Sequence, residues 1–322
     1  MINIRSLENK AIAGQRITRA DVAALADAPL EELCAAADRI RKHFCGNAFD
    51  LCAIVNGKSG RCGEDCKFCA QSAHYGGGAE QYALLPTDAI VRAAEQSARA
   101  GALRFSVVTS GRQLSDAEVQ SLCETVRAVR RRVPVSVCVS AGLLREQQFC
   151  ALRAAGVERA HCNLETCERF FARVCTTHTY ADKIEAITAA RNAGLTVCSG
   201  GIMGLGESMA DRIDLAFSLR ALGVRSVPVN FLQPIAGTPF GNVRPLSLEE
   251  RRRTVALFRF ILPDAAIRLA GGRKDMPDKG AACFTSGANA CITGDMLTTE
   301  GVGATADAAL LQTLGYTVQA HG

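Results

Sequence analysis

The chain has 322 residues, 48% of them apolar, which suffices for one large core or two ordinary ones. Its net charge of +5, from 37 basic against 32 acidic residues, includes no basic block interleaved with aromatics. The Arg runs at 130–132 and 251–253 fall in helical pattern and read as solvated faces, which argues against nucleic-acid binding.

In chain order, residues 1–49 read as a helical N-terminal extension. From residue 50 onward, short β-branched runs alternate with amphipathic stretches. The predicted strands are Leu51–Gly57, Leu103–Thr109, Val135–Ser140, Val157–Asn163, Leu195–Gly201, Val224–Phe231, Ala265–Gly271 and Ala288–Gly294. Helical patterns lie between them at Pro86–Ala100, Ser115–Arg132 and Tyr180–Asn192, and another opens at Leu246–Glu250. Eight strand–helix units with parallel crossovers make an α/β, TIM-type (β/α)8 barrel, spanning 50–322 as one domain. The tail after Thr299 reads as a last helix and a short disordered end. No apolar run reaches the ~18 residues of a membrane span, and no signal peptide is visible. Fifteen cysteines in a chain of this kind fit the metal-bound and free thiols of a reducing cytoplasm better than a disulfide framework.

The most informative motif is Arg-Cys-Gly-Glu-Asp-Cys-Lys-Phe-Cys, with Cys62, Cys66 and Cys69 in C-x3-C-x2-C spacing just after the first strand. Three thiolates leave one position open on a [4Fe–4S] cluster. Structural zinc normally closes at four ligands, and His74 is the nearest further donor. Zinc and unligated thiols remain the alternatives. In a barrel, chemistry sits at the C-terminal strand ends, where this loop belongs.

Other strand ends carry polar groups. Alternation puts His161, Asn163 and Glu165 on one face and Cys162 on the other. A carboxylate there can accept both hydroxyls of a ribose, or it can cap the next helix. Asn230 ends the sixth strand, and Thr298 and Thr299 are adjacent hydroxyls after the eighth. The Gly-rich run from Gly200, with Gly204 and Gly206, allows close backbone approach to a ligand and is equally compatible with a tight turn.

The C-x3-C-x2-C spacing, with an aromatic before its last Cys, resembles the radical S-adenosylmethionine signature. Six runs carry a narrower resemblance: Gly-Lys-Ser-Gly-Arg-Cys-Gly-Glu-Asp-Cys-Lys-Phe-Cys-Ala-Gln-Ser, His-Cys-Asn-Leu-Glu-Thr, Val-Cys-Ser-Gly-Gly-Ile-Met-Gly-Leu-Gly-Glu, Val-Pro-Val-Asn-Phe-Leu, Ile-Arg-Leu-Ala-Gly-Gly-Arg and Leu-Thr-Thr. In this order, from about residue 40 to 300, they resemble the biotin synthase family. The resemblance implies insertion of sulfur into dethiobiotin, using S-adenosylmethionine on the open iron of a [4Fe–4S] cluster. It implies that Phe68 places the adenine through its carbonyl, that Asn163 and Glu165 hold the nucleoside, and that Gly204 and Gly206 belong to the cofactor cradle. Lys183 would hold the methionine carboxylate, where the family often has Arg. Asn163 and Asn230 would read the ureido ring of dethiobiotin, and Thr298 and Thr299 its carboxylate. A flavodoxin- or ferredoxin-type electron donor and a homodimer are implied as well.

The family's sulfur donor is an auxiliary [2Fe–2S] cluster held by three Cys and one Arg. The resemblance carries over Cys138, Cys198 and Arg268, but the remaining position is Ser106, a poor iron ligand. Parity offers Cys52 on the first strand as a replacement. An auxiliary cluster on Cys52, Cys138 and Cys198 follows, with Arg268 beside it, and a four-iron form could carry an extra sulfide for donation. Arg104 shares the parity of Ser106. With no evident carboxylate partner for Arg104 and Arg268, an anionic cluster would be their counter-ion. The plain alternative is that these cysteines are small core residues. Cys175, Cys283 and Cys291 are weaker ligand candidates, while Cys34, Cys45, Cys123, Cys150 and Cys167 read as structural. Competing functions are a related radical enzyme acting on another small molecule and, from a different class, an iron–sulfur electron carrier.

Overall fold

The computed structural model describes residues 3–320. Among the described residues there are ten strands: β1 (Ala48–Lys58), β2 (Arg104–Thr109), β3 (Ser136–Ser140), β4 (Arg159–His161), β5 (Thr196–Cys198), β6 (Gly201–Met203), β7 (Ser226–Phe231), β8 (Ala266–Leu269), β9 (Ala290–Thr293) and β10 (Thr317–Val318). Pairing runs β1-β2-β3-β4-β5-β7-β8-β9, and β9 returns to β1, so the sheet closes on itself. Every strand pair is parallel. Helices cross over between strands, as parallel connections require. The result is the TIM-type (β/α)8 barrel expected from the alternation.

Helix starts are written locally. Ser115 with Glu118, Thr179 with Asp182, Ser208 with Asp211 and Ser247 with Glu250 all form reciprocal capping boxes. Each satisfies two backbone donors that the first helical turn leaves open.

Three expectations are corrected. The fifth strand is not continuous: β5 and β6 are separate pieces that both pair with β7. The break falls at Ser199-Gly200, where a Cβ on Gly200 would lie 1.8 Å from the Pro228 carbonyl oxygen. Only glycine lets the two chains cross that closely. The tail is also more ordered than expected. Helix Ala304–Thr313 is followed by β10, which pairs with the start of β1, while residues 321–322 of the expected disordered end lie outside the described residues. The last correction concerns the run Arg251-Arg252-Arg253, which is no solvated face. Arg251 is buried on the Leu246 and Gly272 carbonyls. Arg252 grips Glu31 at 2.6 and 2.7 Å, and Arg253 donates to the Ala26 and Ala28 carbonyls. Arg252 and Arg253 fasten the helices Arg19–Leu25 and Leu30–Cys45 to the outside of the barrel, Arg252 through the Glu31 carboxylate and Arg253 through carbonyls left open at a helix end. By contrast Arg130, Arg131 and Arg132 are exposed as expected.

Candidate active site

The loop after β1 is held by its backbone. Cys62 N–H donates to Gln71 O at 3.0 Å, Ala73 N–H to Cys62 O at 2.7 Å, and Cys69 N–H to Cys66 O at 2.9 Å. Ser72 Oγ donates to Glu64 O and Tyr75 OH to Asp65 O. The loop's shape thus comes from its backbone and from Ser72 and Tyr75, and the three thiols are half-buried and unbridged, with Cys66 lying against Cys175. Three reduced sulfurs on one short, fixed loop suit an iron–sulfur cluster with an open position.

Below the loop lies a cavity of about 320 Å³ that fills the barrel mouth and reaches the lumen. Phe68 and Cys69 line its rim, followed by His161, Asn163 and Glu165 from the end of β4, Asn230 from β7, and Thr298 and Thr299 after β9. Asn163 Oδ1 accepts from Gly200 N–H, and its amide donates to Glu165 Oε2 at 3.2 Å. Glu165 has φ +68, unusual for a side-chain-bearing residue; its backbone bonds Gly200 O and Ile202 N–H across the break between β5 and β6. Burial raises the Glu165 carboxyl above its usual range, opposed by the nearby Lys183 ammonium. Asn230 accepts from Gly271 N–H and donates to Gly201 O, and Thr299 donates to Gln233 Oε1. Gln233, unforeseen from the sequence, thus orients one of the paired hydroxyls.

Five predicted residues lie outside the cavity wall: Cys62 and Cys66 on the loop above it, Lys183, Gly204 and Gly206. Lys183 is half-buried behind Glu165. Gly204 and Gly206 both have positive φ and shape a turn, but Gly204 and Leu205 N–H donate to the Glu207 carboxylate at 2.8 and 2.6 Å. Arg212 locks that carboxylate in turn. These amides are occupied by the chain's own Glu207.

At the floor, Cys52, Cys138 and Cys198 converge from β1, β3 and β5. They are close enough that each thiolate would disfavour ionisation of another. Burial pushes the Cys52 thiol up to about 11 and Cys138 higher still. Burial acts on Cys198 in the same sense, yet His161, Arg159 and Arg268 pull it down to about 6. Ser226 also donates to its sulfur at 3.3 Å, and Arg159 donates to Ser226 at 3.1 Å. Arg104, Arg159 and Arg268 all face this cavity. Three thiols among three guanidiniums favour an anionic, soft-metal cluster. Ser106 lines the same wall, paired in register with Cys138. Cys175, Cys283 and Cys291 are buried elsewhere, and of the cysteines read as structural only Cys150 is exposed.

The two arginines read as lacking a carboxylate have one. Asp50 on β1 is fully buried and meets Arg104 Nε at 2.9 Å and Arg268 Nη2 at 2.8 Å. Burial alone would raise its carboxyl, but the two guanidiniums outweigh burial and hold it far below the usual carboxylate range. An auxiliary cluster is thus not their only counter-ion. The Asp50 contribution to stability is full above the ordinary carboxylate range near pH 4 and is lost as pH falls below it. We expect Asp50→Ala to cost about 3–5 kcal/mol in urea unfolding, because two buried guanidiniums lose a shared partner. A variant as stable as the parent would show that the triad contributes little.

Residues 58–219 match the radical SAM superfamily, and residues 228–317 match the biotin and thiamin synthesis associated domain. Biotin synthase 2 of Corynebacterium diphtheriae is 54% identical over 98% of this chain and 96% of its own length. The biotin synthases of Brachyspira hyodysenteriae (50%; 99% and 96%) and Akkermansia muciniphila (52%; 98% of each) are similarly close. Among solved structures, methylornithine synthase superposes with a TM-score of 0.84 over 98% of this chain and 97% of that one. An FeFe-hydrogenase maturase from Carboxydothermus hydrogenoformans gives 0.82 over 97% and 78%. At 20% and 17% identity these two structures speak for the fold alone. A closed parallel barrel with an open three-cysteine loop at its mouth, and half-identical relatives along its whole length, place this chain in the biotin synthase family of radical S-adenosylmethionine enzymes.

Proposed function

We propose that Cys62, Cys66 and Cys69 hold the [4Fe–4S] cluster of this sulfur-inserting enzyme, and that Cys52, Cys138 and Cys198 hold its auxiliary iron–sulfur cluster with Arg268 alongside. The substrate is dethiobiotin and the product biotin. The observation that carries this reading is one continuous cavity joining Cys69 at the rim to three thiols at the floor, with an amide and two hydroxyls between. When bound, the [4Fe–4S] cluster and S-adenosylmethionine supply the radical that takes hydrogen from an unactivated C–H bond.

The chain's own residues bind, orient and keep water out. Phe68 borders the adenine, Asn163 and Glu165 take the ribose, and Lys183 neutralises the methionine carboxylate from behind Glu165. Gly204 and Gly206 serve that cradle by shaping its turn. Asn230 retains one amide hydrogen and one lone pair beyond its bonds to Gly201 and Gly271, enough to read a ureido group together with Asn163. Thr298 offers its hydroxyl to the substrate carboxylate, and Thr299 does so by turning its proton from Gln233 Oε1 to the carboxylate. Arg104, Arg159 and Arg268 lower the cost of ionised sulfur in the lumen.

Residues 1–49 form the extension and 50–322 the catalytic barrel. Among the described residues no helix is long and apolar enough to cross a membrane. A cytoplasmic setting agrees with fifteen cysteines, all unbridged. A flavodoxin- or ferredoxin-type donor and a homodimer complete the proposal. Supplied with reductant and S-adenosylmethionine, the enzyme should consume dethiobiotin and release biotin or a 9-mercapto intermediate, read by mass spectrometry. Release of 5′-deoxyadenosine with no sulfur-containing product would point instead to another small-molecule substrate.

A further inference from the structure

The cysteine loop meets a second loop across the mouth. This is Val174-Cys175-Thr176-Thr177-His178, between the helices Glu168–Phe171 and Tyr180–Asn192. The contact is closely tied. Asp65 accepts from the N–H groups of Thr176 and Thr177 at 2.7 and 3.1 Å, Thr177 Oγ1 donates to Glu64 Oε2, and Lys67 N–H donates to Val174 O. Inside it, Cys66, Cys175 and His178 each bring a donor atom within 4.8 Å of the other two. Cys175 Sγ is 3.2 Å from His178 Nδ1 and 3.1 Å from Asp65 Oδ1, and the same ring nitrogen meets Glu64 Oε2. Cys175 and His178 are only 2% and 5% exposed.

Two sulfurs and an imidazole nitrogen are donors that tetrahedral zinc takes, the spacing of these three suits one ion between them, and the Glu64 carboxylate beside His178 offers a fourth donor. Hard oxygen-seeking cations do not choose thiolates. Cys175 and His178 also have no part in the cavity, so the substrate site does not account for them.

We propose that before cluster loading Cys66, Cys175 and His178 bind one zinc-class ion, with Glu64 as the fourth donor. Resting on the assignment of Cys66 to the [4Fe–4S] cluster, it follows that this ion and the cluster exclude each other. Metal entry releases to solvent any protons that the thiols and the ligating ring nitrogen carry, with no redox change. The site competes with cluster assembly without touching substrate, and it makes loading sensitive to free zinc.

Cobalt(II) is the probe, added anaerobically to the full chain stripped of iron and kept reduced with a phosphine. One equivalent should bind with thiolate-to-metal absorption and the visible bands of a tetrahedral site, and zinc should displace it. Cys175→Ser and His178→Gln should each weaken cobalt binding at least about tenfold, whereas Cys62→Ser should leave it unchanged. Circular dichroism matching the parent certifies each variant as folded. Absence of tetrahedral thiolate bands, or equal loss in Cys62→Ser, would overturn the site; the latter would put the ion on the C-x3-C-x2-C loop itself. Zinc-loaded parent should take up iron and sulfide several-fold more slowly, and Cys175→Ser should remove that delay. Cobalt bound as described, with no zinc effect on cluster uptake, would overturn the exclusion and point to failure of the Cys66 assignment, leaving the zinc site standing.

Discussion

Replacing Cys62, Cys66 or Cys69 with Ala should reduce 5′-deoxyadenosine formation to background, measured with dithionite and S-adenosylmethionine on anaerobically reconstituted protein. Two thiolates cannot retain a cluster whose fourth iron must stay open for the cofactor. The structure makes this a clean experiment. The loop at Cys62 and at Cys66–Cys69 is shaped by backbone hydrogen bonds, which Ala preserves, and Cys66 adds one side-chain contact to Cys175. Loss of activity would therefore report loss of a ligand rather than of the loop. Normal 5′-deoxyadenosine formation by any one of the three variants would sink the assignment.

Cys52→Ala should behave differently: 5′-deoxyadenosine persists while biotin formation stops and iron content falls. Cys52 lies at the floor, 7% exposed, with only a weak sulfur contact to the Ala53 carbonyl at 3.6 Å. Its burial raises the thiol to about 11, so without a metal it stays protonated at neutral pH, and a soft cation is what would ionise it. Ser106, where the family resemblance implies a cysteine, shares the wall but offers only a hydroxyl. Three thiols without Ser106 suit a four-iron auxiliary cluster with one iron free for an extra sulfide. Parent protein would then hold about eight irons per chain rather than six, countable by Mössbauer spectroscopy. Biotin formed by Cys52→Ala at the parent's rate would reduce Cys52 to core packing.

The sequence by itself determined the barrel, because β-rich runs alternate with amphipathic stretches along the chain and several of the helices carry their own start signal, such as Ser115 with Glu118. It also determined which side chains point inward. Period-two alternation is local, so it set His161, Asn163 and Glu165 on one face and offered Cys52 on the first strand, while Cys138, Cys198 and Arg268 came from the family resemblance; all of them line the cavity. Asp50 and Arg159 carried the same signal, two residues before Cys52 and His161, and were missed. What alternation cannot state is who faces whom across a closed sheet, since that depends on register and stagger around the whole ring. Only the tertiary structure decided that Asp50 stands between Arg104 and Arg268, and that Glu207 fills the amides of the glycine-rich turn. It also decided that Arg252 and Arg253 clamp the N-terminal helices and that Cys175 and His178 close on Cys66. Glu207 lies within three residues of the amides it fills, and the turn itself brings it there; in the other cases the partners lie on different strand–helix units, and chain closure, not local pattern, brings them within reach.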